Sequence, residues 1–180
     1  VGTIGAIKPV QEHRFTKTGL VGTDLSIDEM MAWVTLPSCG AVVTFTGTVR
    51  EHSRDSTGRI TGGVTSIDYE AYLRAAHERL AEIADAARSR WPDVGRVALV
   101  HRIGLVSIGQ PAVVVCVSAG HRTAAFLAAQ FCIDLVKSTV PVWKREMRDV
   151  ADSWVETGAK IETVAAAGAR WTPASDGEQA

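Results

Sequence analysis

K-S-T-V-P-V-W-K-R-E, Lys137 to Glu146, sets one lysine on each side of a proline, with an apolar run between them. Pro141 cannot continue a helix, because it lacks an N–H and its ring clashes with the preceding turn. It also biases Val140 toward extended backbone. The helical spacing that leads up to this point therefore stops near Val140. Beyond it, residues 142–147 read as a strand, with Val142, Lys144 and Glu146 on one face and Trp143 and Arg145 on the other. A reversal at Pro141 would fold this strand back along the helix end and bring Lys137 and Lys144 together. Without it they are two unrelated surface charges. Lys137 also has a plain structural explanation, since a cation in a last helical turn complements the helix dipole.

On the N-terminal side, Ala124, Leu127, Ala128, Phe131 and Leu135 define one face of the helix that ends here. An earlier helix carries Leu73, Ala76, Leu80, Ile83, Ala84, Ala87 and Trp91 on one stripe and is closed by Pro92. A shorter one begins after Ser26, with Glu29 completing a capping box and Pro37 ending it. Strands are predicted at 15–23, 40–49, 64–71, 96–101, 112–118 and 142–147, with a short one at 154–156. The connection R-I-G-L-V-S-I-G-Q-P has room for a hairpin of its own. Residues 50–63, with Arg50, Arg54 and Arg59 among glycines, have no apolar period and read as a long exposed loop. The expected organisation is a mobile arm over 1–13, one domain over 14–160 and a loose tail over 161–180. Two main amphipathic helices among these strands give an α+β fold, helices packed on a mixed or antiparallel sheet.

Composition bounds the function. The chain has 180 residues, 46% hydrophobic and 22% charged, enough for a core without disulfides or metal. A net charge of −1 supplies no global attraction to nucleic acid or anionic membrane, so any anion site is a local cluster. Cys39, Cys116 and Cys132 are odd in number and far apart, with no metal-ligand spacing, and fit a reduced, cytoplasmic setting. No apolar run reaches the roughly 18 residues of a membrane span.

Three places can hold an anion. S-A-G-H-R-T, Ser118 to Thr123, takes a strand through Gly120 into a helix, whose first N–H groups and dipole favour negative charge. His121 and Arg122 stand in its first turn, where a cation is explained if it reaches a bound phosphate or carboxylate; the alternative is two solvated side chains. Arg50 follows a strand, and its guanidinium matches phosphate oxygens with paired donors, though a solvated arginine at a strand end is the simpler account. Lys137 and Lys144, if adjacent, disfavour double protonation. One amine is then free to act as base or nucleophile while the other holds an anion. His13, His52, His77 and His101 have no partner at ligand spacing and read as structural or surface residues.

The runs G-A-V-V-T-F-T-G-T-V-R, R-W-P-D-V-G-R-V-A-L-V-H-R-I-G, S-A-G-H-R-T-A-A-F and K-S-T-V-P-V-W-K-R-E closely resemble, in order, the large catalytic subunit of molybdopterin synthase. The similarity covers about residues 15–156. It implies an α/β-hammerhead fold and a homodimer, each protomer binding a small ubiquitin-like sulfur-carrier subunit with a C-terminal Gly-Gly thiocarboxylate to make a heterotetramer. It implies transfer of two sulfurs, one per tail, to cyclic pyranopterin monophosphate (precursor Z), giving the molybdopterin dithiolene. By matching position, Lys137 would act in sulfur transfer and Lys144 would contact substrate and assist proton transfer. Arg50, His121 and Arg122 would hold the pterin phosphate, from the neighbouring protomer. Thr48 and Val49 would line the pocket, with Arg145 and Glu146 flanking Lys144. No metal or cofactor on the protein is implied. Where relatives carry an arginine shortly after W-V-E, this chain reads W-V-E-T-G-A-K, so either Lys160 substitutes for it or that contact is absent. The competing reading is a non-catalytic dimeric module that grips a phosphorylated ligand or a ubiquitin-like tail. A nucleic-acid binder is disfavoured, because no aromatics interleave with the basic loop.

Overall fold

The computed structural model describes residues 10–54, 59–148, 153–154 and 161–173. The chain runs β1 (Gln11–Glu12), β2 (Thr16–Val21), α1 (Ile27–Val34), β3 (Ala41–Thr48), β4 (Ser53–Arg54), β5 (Ile60–Thr61) and β6 (Val64–Ala71). It continues through α2 (Leu73–Arg90), β7 (Val94–Arg102), β8 (Gly104–Ser107), β9 (Pro111–Ala119), α3 (Arg122–Thr139), β10 (Val142–Arg148), β11 (Ser153–Trp154) and α4 (Val164–Arg170).

One sheet has the order β1-β2-β7-β9-β3 and is mixed, because β2 runs parallel to β7 while the other pairs are antiparallel. The antiparallel order β11-β10-β6-β8 forms a second sheet. β7 and β9 are buried almost throughout because both faces are covered. Val97 and Leu99 face the main core with α2 and α3, while their neighbours Ala98 and Val100 pack under Met30 and Val34 of α1. A third small cluster packs Val64, Ile67 and Val106 of the second sheet against Val49, just past β3, and Ala112 of β9. Cys116 and Cys132 are buried free thiols, and burial pushes Cys132 up to about 12.

Four expectations change. The connection after β7 does not fold on itself: β8 pairs with β6, after a turn at Gly104, whose φ of +82° suits glycine. The loop 50–63 carries a short ladder, Ser53 opposite Thr61 and Arg54 opposite Ile60. Within the expected arm, Gln11 and Glu12 pair with β2; residues 1–9 lie outside the described part. Within the expected loose tail, α4 is capped by Thr163 and buries Val164 and Ala167. Trp171 then stacks edge-on against Trp91 and Phe131 and donates to Asp134 Oδ2 at 2.9 Å.

Candidate active site

The bend at Pro141 decides what meets what. α3 closes with the Val140 N–H on the Val136 carbonyl, and the Pro141 carbonyl accepts from the Tyr72 N–H at the start of α2. β10 then runs antiparallel to β6, with Lys144 opposite Tyr69 and Glu146 opposite Ile67. Lys137 and Lys144 both line one cleft, and the chain reversal is what joins them.

The cleft has two lobes that share Gly47, Thr48, Tyr69, Val113, Ile133 and the two lysines. The outer lobe, about 440 Å³, adds Arg50, His52, Ser53 and Glu146. The inner lobe, about 430 Å³, adds Ala112, Val136, Val140, Val142 and His101. The first is polar and carries cations; the second is walled by aliphatic side chains. Thr48 reaches both because the β3–β9 ladder slips between Gly47 and Thr48.

Glu146 anchors the outer lobe. Only 1% exposed, it accepts through Oε2 from Ser53 Oγ at 2.9 Å and from the Arg148 guanidinium at 2.6 Å. Its Oε1 lies 3.7 Å from Lys144 Nζ. Arg148 also donates to the Gly62 carbonyl, so one buried carboxylate ties β10 to both ends of the 50–63 segment. Burial, with the Glu146 charge adding to it, pushes the Tyr69 phenol up to about 12, so it stays protonated.

Not every expected residue reaches the cleft. Val49 is 2% exposed and belongs to the small core, because the backbone there bonds to the Gly109–Gln110 turn. Arg145 lies on the opposite face of β10 from Lys144 and pairs with Asp68 at 2.8 Å, the pleat having sent it away. His121 and Arg122 are exposed at the start of α3, roughly 22 Å from Lys137 along the helix axis at 1.5 Å per residue. The anion held by that helix start is the protein's own: Asp93 Oδ2 accepts the His121 N–H at 2.9 Å. Lys160 lies outside the described residues.

The residues missed are His52, Tyr69 and His101. Tyr69 is found only through its register with Lys144, and His101 through the ring contact it makes with Tyr69, centroids 5.1 Å apart. The His101 Nδ1 lies 2.5 Å from the Arg102 carbonyl, and burial holds the ring below its ordinary value of 6.5. The unfolded chain therefore binds this proton more readily than the folded one, and stability falls as pH drops below about 6.5. Denaturant melts between pH 7 and 5 are expected to show a smaller drop for His101→Gln than for the wild type.

Comparison with known proteins places this chain. The sequence model of the MoaE protein family matches residues 20–139. The chain belongs to this family. It is 36% identical over 145 residues to the human molybdopterin synthase catalytic subunit, covering 81% of this chain and 73% of that one. It is 45% identical over 117 residues to the Escherichia coli subunit of the same name, covering 65% and 73%. The crystal structure of molybdopterin synthase from Staphylococcus aureus superposes with a TM-score of 0.69 at 32% identity, covering 80% of this chain and 98% of that one. The α+β architecture of helices on a mixed sheet is thus the family's, and the family is that of molybdopterin synthase catalytic subunits. No helix among the described residues is long and apolar enough to cross a membrane.

Proposed function

We propose that the chain is the catalytic subunit of a molybdopterin synthase, acting as a sulfurtransferase. It takes sulfur from the C-terminal thiocarboxylate of a small ubiquitin-like partner and delivers two sulfurs, one per tail, to cyclic pyranopterin monophosphate. The observation that carries this reading is the single cleft in which Lys137, Lys144 and Arg50 converge.

The two lobes suit two guests. A pterin phosphate fits the polar outer lobe, where Arg50 offers paired donors to phosphate oxygens. An extended glycyl tail fits the aliphatic inner lobe, with its terminal carbon arriving where the lobes meet. Lys137 and Lys144 stand at that junction, so their ammonium groups face the oxygen on the tail's terminal carbon, where negative charge develops when the bond between that carbon and sulfur is exchanged. Lys137, which lines the outer lobe as well, borders the bound pterin and serves the thiocarboxylate. Lys144, oriented by Glu146, serves the substrate and moves protons. Reconstitution with thiocarboxylated partner and precursor Z tests the reading: the dithiolene product is expected, whereas tight binding of both without product would leave a binding module.

His121 and Arg122 lie too far from Lys137 to serve the same cleft in one protomer, so their role requires a second copy. Arg122→Ala and Lys137→Ala chains, each inactive alone, are then expected to regain about a quarter of wild-type activity when reassembled together, the share set by random pairing in a two-fold dimer. No recovery in confirmed mixed dimers would remove both residues from the site.

A further inference from the structure

The inner lobe offers few acceptors to a bound chain. A peptide tail entering it carries backbone N–H groups, and each one buried without an acceptor is costly. The aliphatic side chains of the lobe cannot accept, the lysine ammonium groups only donate, and the Thr48 and Tyr69 hydroxyls, which can accept, stand where the two lobes meet. Among the described residues, His101 is the one polar side chain that lines the inner lobe and not the outer.

Its tautomer is fixed by its neighbour. The Arg102 carbonyl 2.5 Å from Nδ1 can only accept, so Nδ1 carries the proton. Arg102 is itself held, with its guanidinium 2.9 Å from Asp24 and 3.0 Å from Gln110 Oε1. The nitrogen left for the lobe is Nε2, a lone-pair acceptor in the neutral ring. The Tyr69 ring, edge-on to His101, fixes the plane of the imidazole, and Tyr69 in turn stands opposite Lys144.

We propose that His101 Nε2 accepts a backbone N–H of the partner's tail and thereby sets how deep the tail runs before its last carbon stops between Lys137 and Lys144. His101 is a positioning residue in this account and takes no part in bond making. The inference rests on the sulfurtransferase reading above and adds to it the group that reads the tail.

The test uses the whole chain, thiocarboxylated partner and precursor Z. His101→Phe keeps the ring edge on Tyr69 but has no acceptor; His101→Gln keeps one. With His101→Phe the KM for partner is expected to rise roughly tenfold, the effect of one unpaired buried donor. With His101→Gln it should stay within about threefold of wild type. Direct binding to a partner lacking its last two residues should be the same for all three chains. A purely structural His101 would weaken full-length and truncated partner alike, and that outcome, or an unchanged KM in His101→Phe, overturns the proposal. Should His101→Phe not fold, a partner whose last peptide N–H is replaced by an ester oxygen is offered to the wild-type chain. A KM equal to that of the amide tail overturns the proposal as well. If the wild-type chain forms no dithiolene at all, it is the sulfurtransferase reading that fails; if it does and only the His101 comparison is flat, this inference alone falls.

Discussion

Lys137→Ala is expected to lower dithiolene formation by roughly 10²–10⁴, the range for removing a positioned proton-transfer or charge-stabilising group. Affinity for the partner should change by less than about threefold, because a tail bound along the cleft as proposed makes most of its contacts away from its last atom. The fold should not notice: Lys137 is exposed, and among the described residues no carboxylate lies within ion-pair distance of it. Rapid-quench assays of product, beside calorimetric titration of partner, separate the two effects. Product at the wild-type rate would mean that the amine in the last turn of α3 serves only the helix dipole.

Glu146→Gln is expected to have the largest effect on stability. The substitution preserves volume but leaves the Arg148 guanidinium, only 15% exposed, without its counter-charge. Breaking a buried pair from one side costs about 3 kcal/mol, which lowers Tm by on the order of 10 °C for a chain of this size. Activity should fall as well, since Lys144 loses the carboxylate that orients it. Combining Glu146→Gln with Arg148→Met should recover most of the stability and little of the activity, because the pair's removal restores burial but not the partner of Lys144. Thermal melts of the four chains in that cycle decide the matter.

How far the sequence reached depends on whether the signal was local. The reversal at Pro141 was legible because a proline after a helical run leaves the backbone few choices. The parity of β10 was legible too, and it already separated Arg145 from Lys144. The structure pairs that arginine with Asp68 on the far face. Val49 went astray because it was carried over from the resemblance beside Thr48, whereas its backbone bonds to the Gly109–Gln110 turn and its side chain joins the small core. The β8–β6 pairing joins strands with α2 and β7 between them and leaves no local mark. α4 was hidden by composition: alanines and a glycine read as slack chain until Trp171 gives them an aromatic cluster to pack against. His101 was passed over because it has no partner at ligand spacing in the sequence. Its meaning comes from Tyr69, which is reached only through the register of β6 with β10.

The central physical claim is that two amines from opposite sides of a proline bend surround a single anionic guest. Lysine modification with and without cyclic pyranopterin monophosphate tests it directly, reading each amine by peptide mass. Lys137 and Lys144 are expected to be protected together, over the same concentration range, while Lys17, paired with Glu12 on the sheet's other edge, stays unchanged. Protection of only one of the two, or of neither while the pterin is demonstrably bound, would contradict the account.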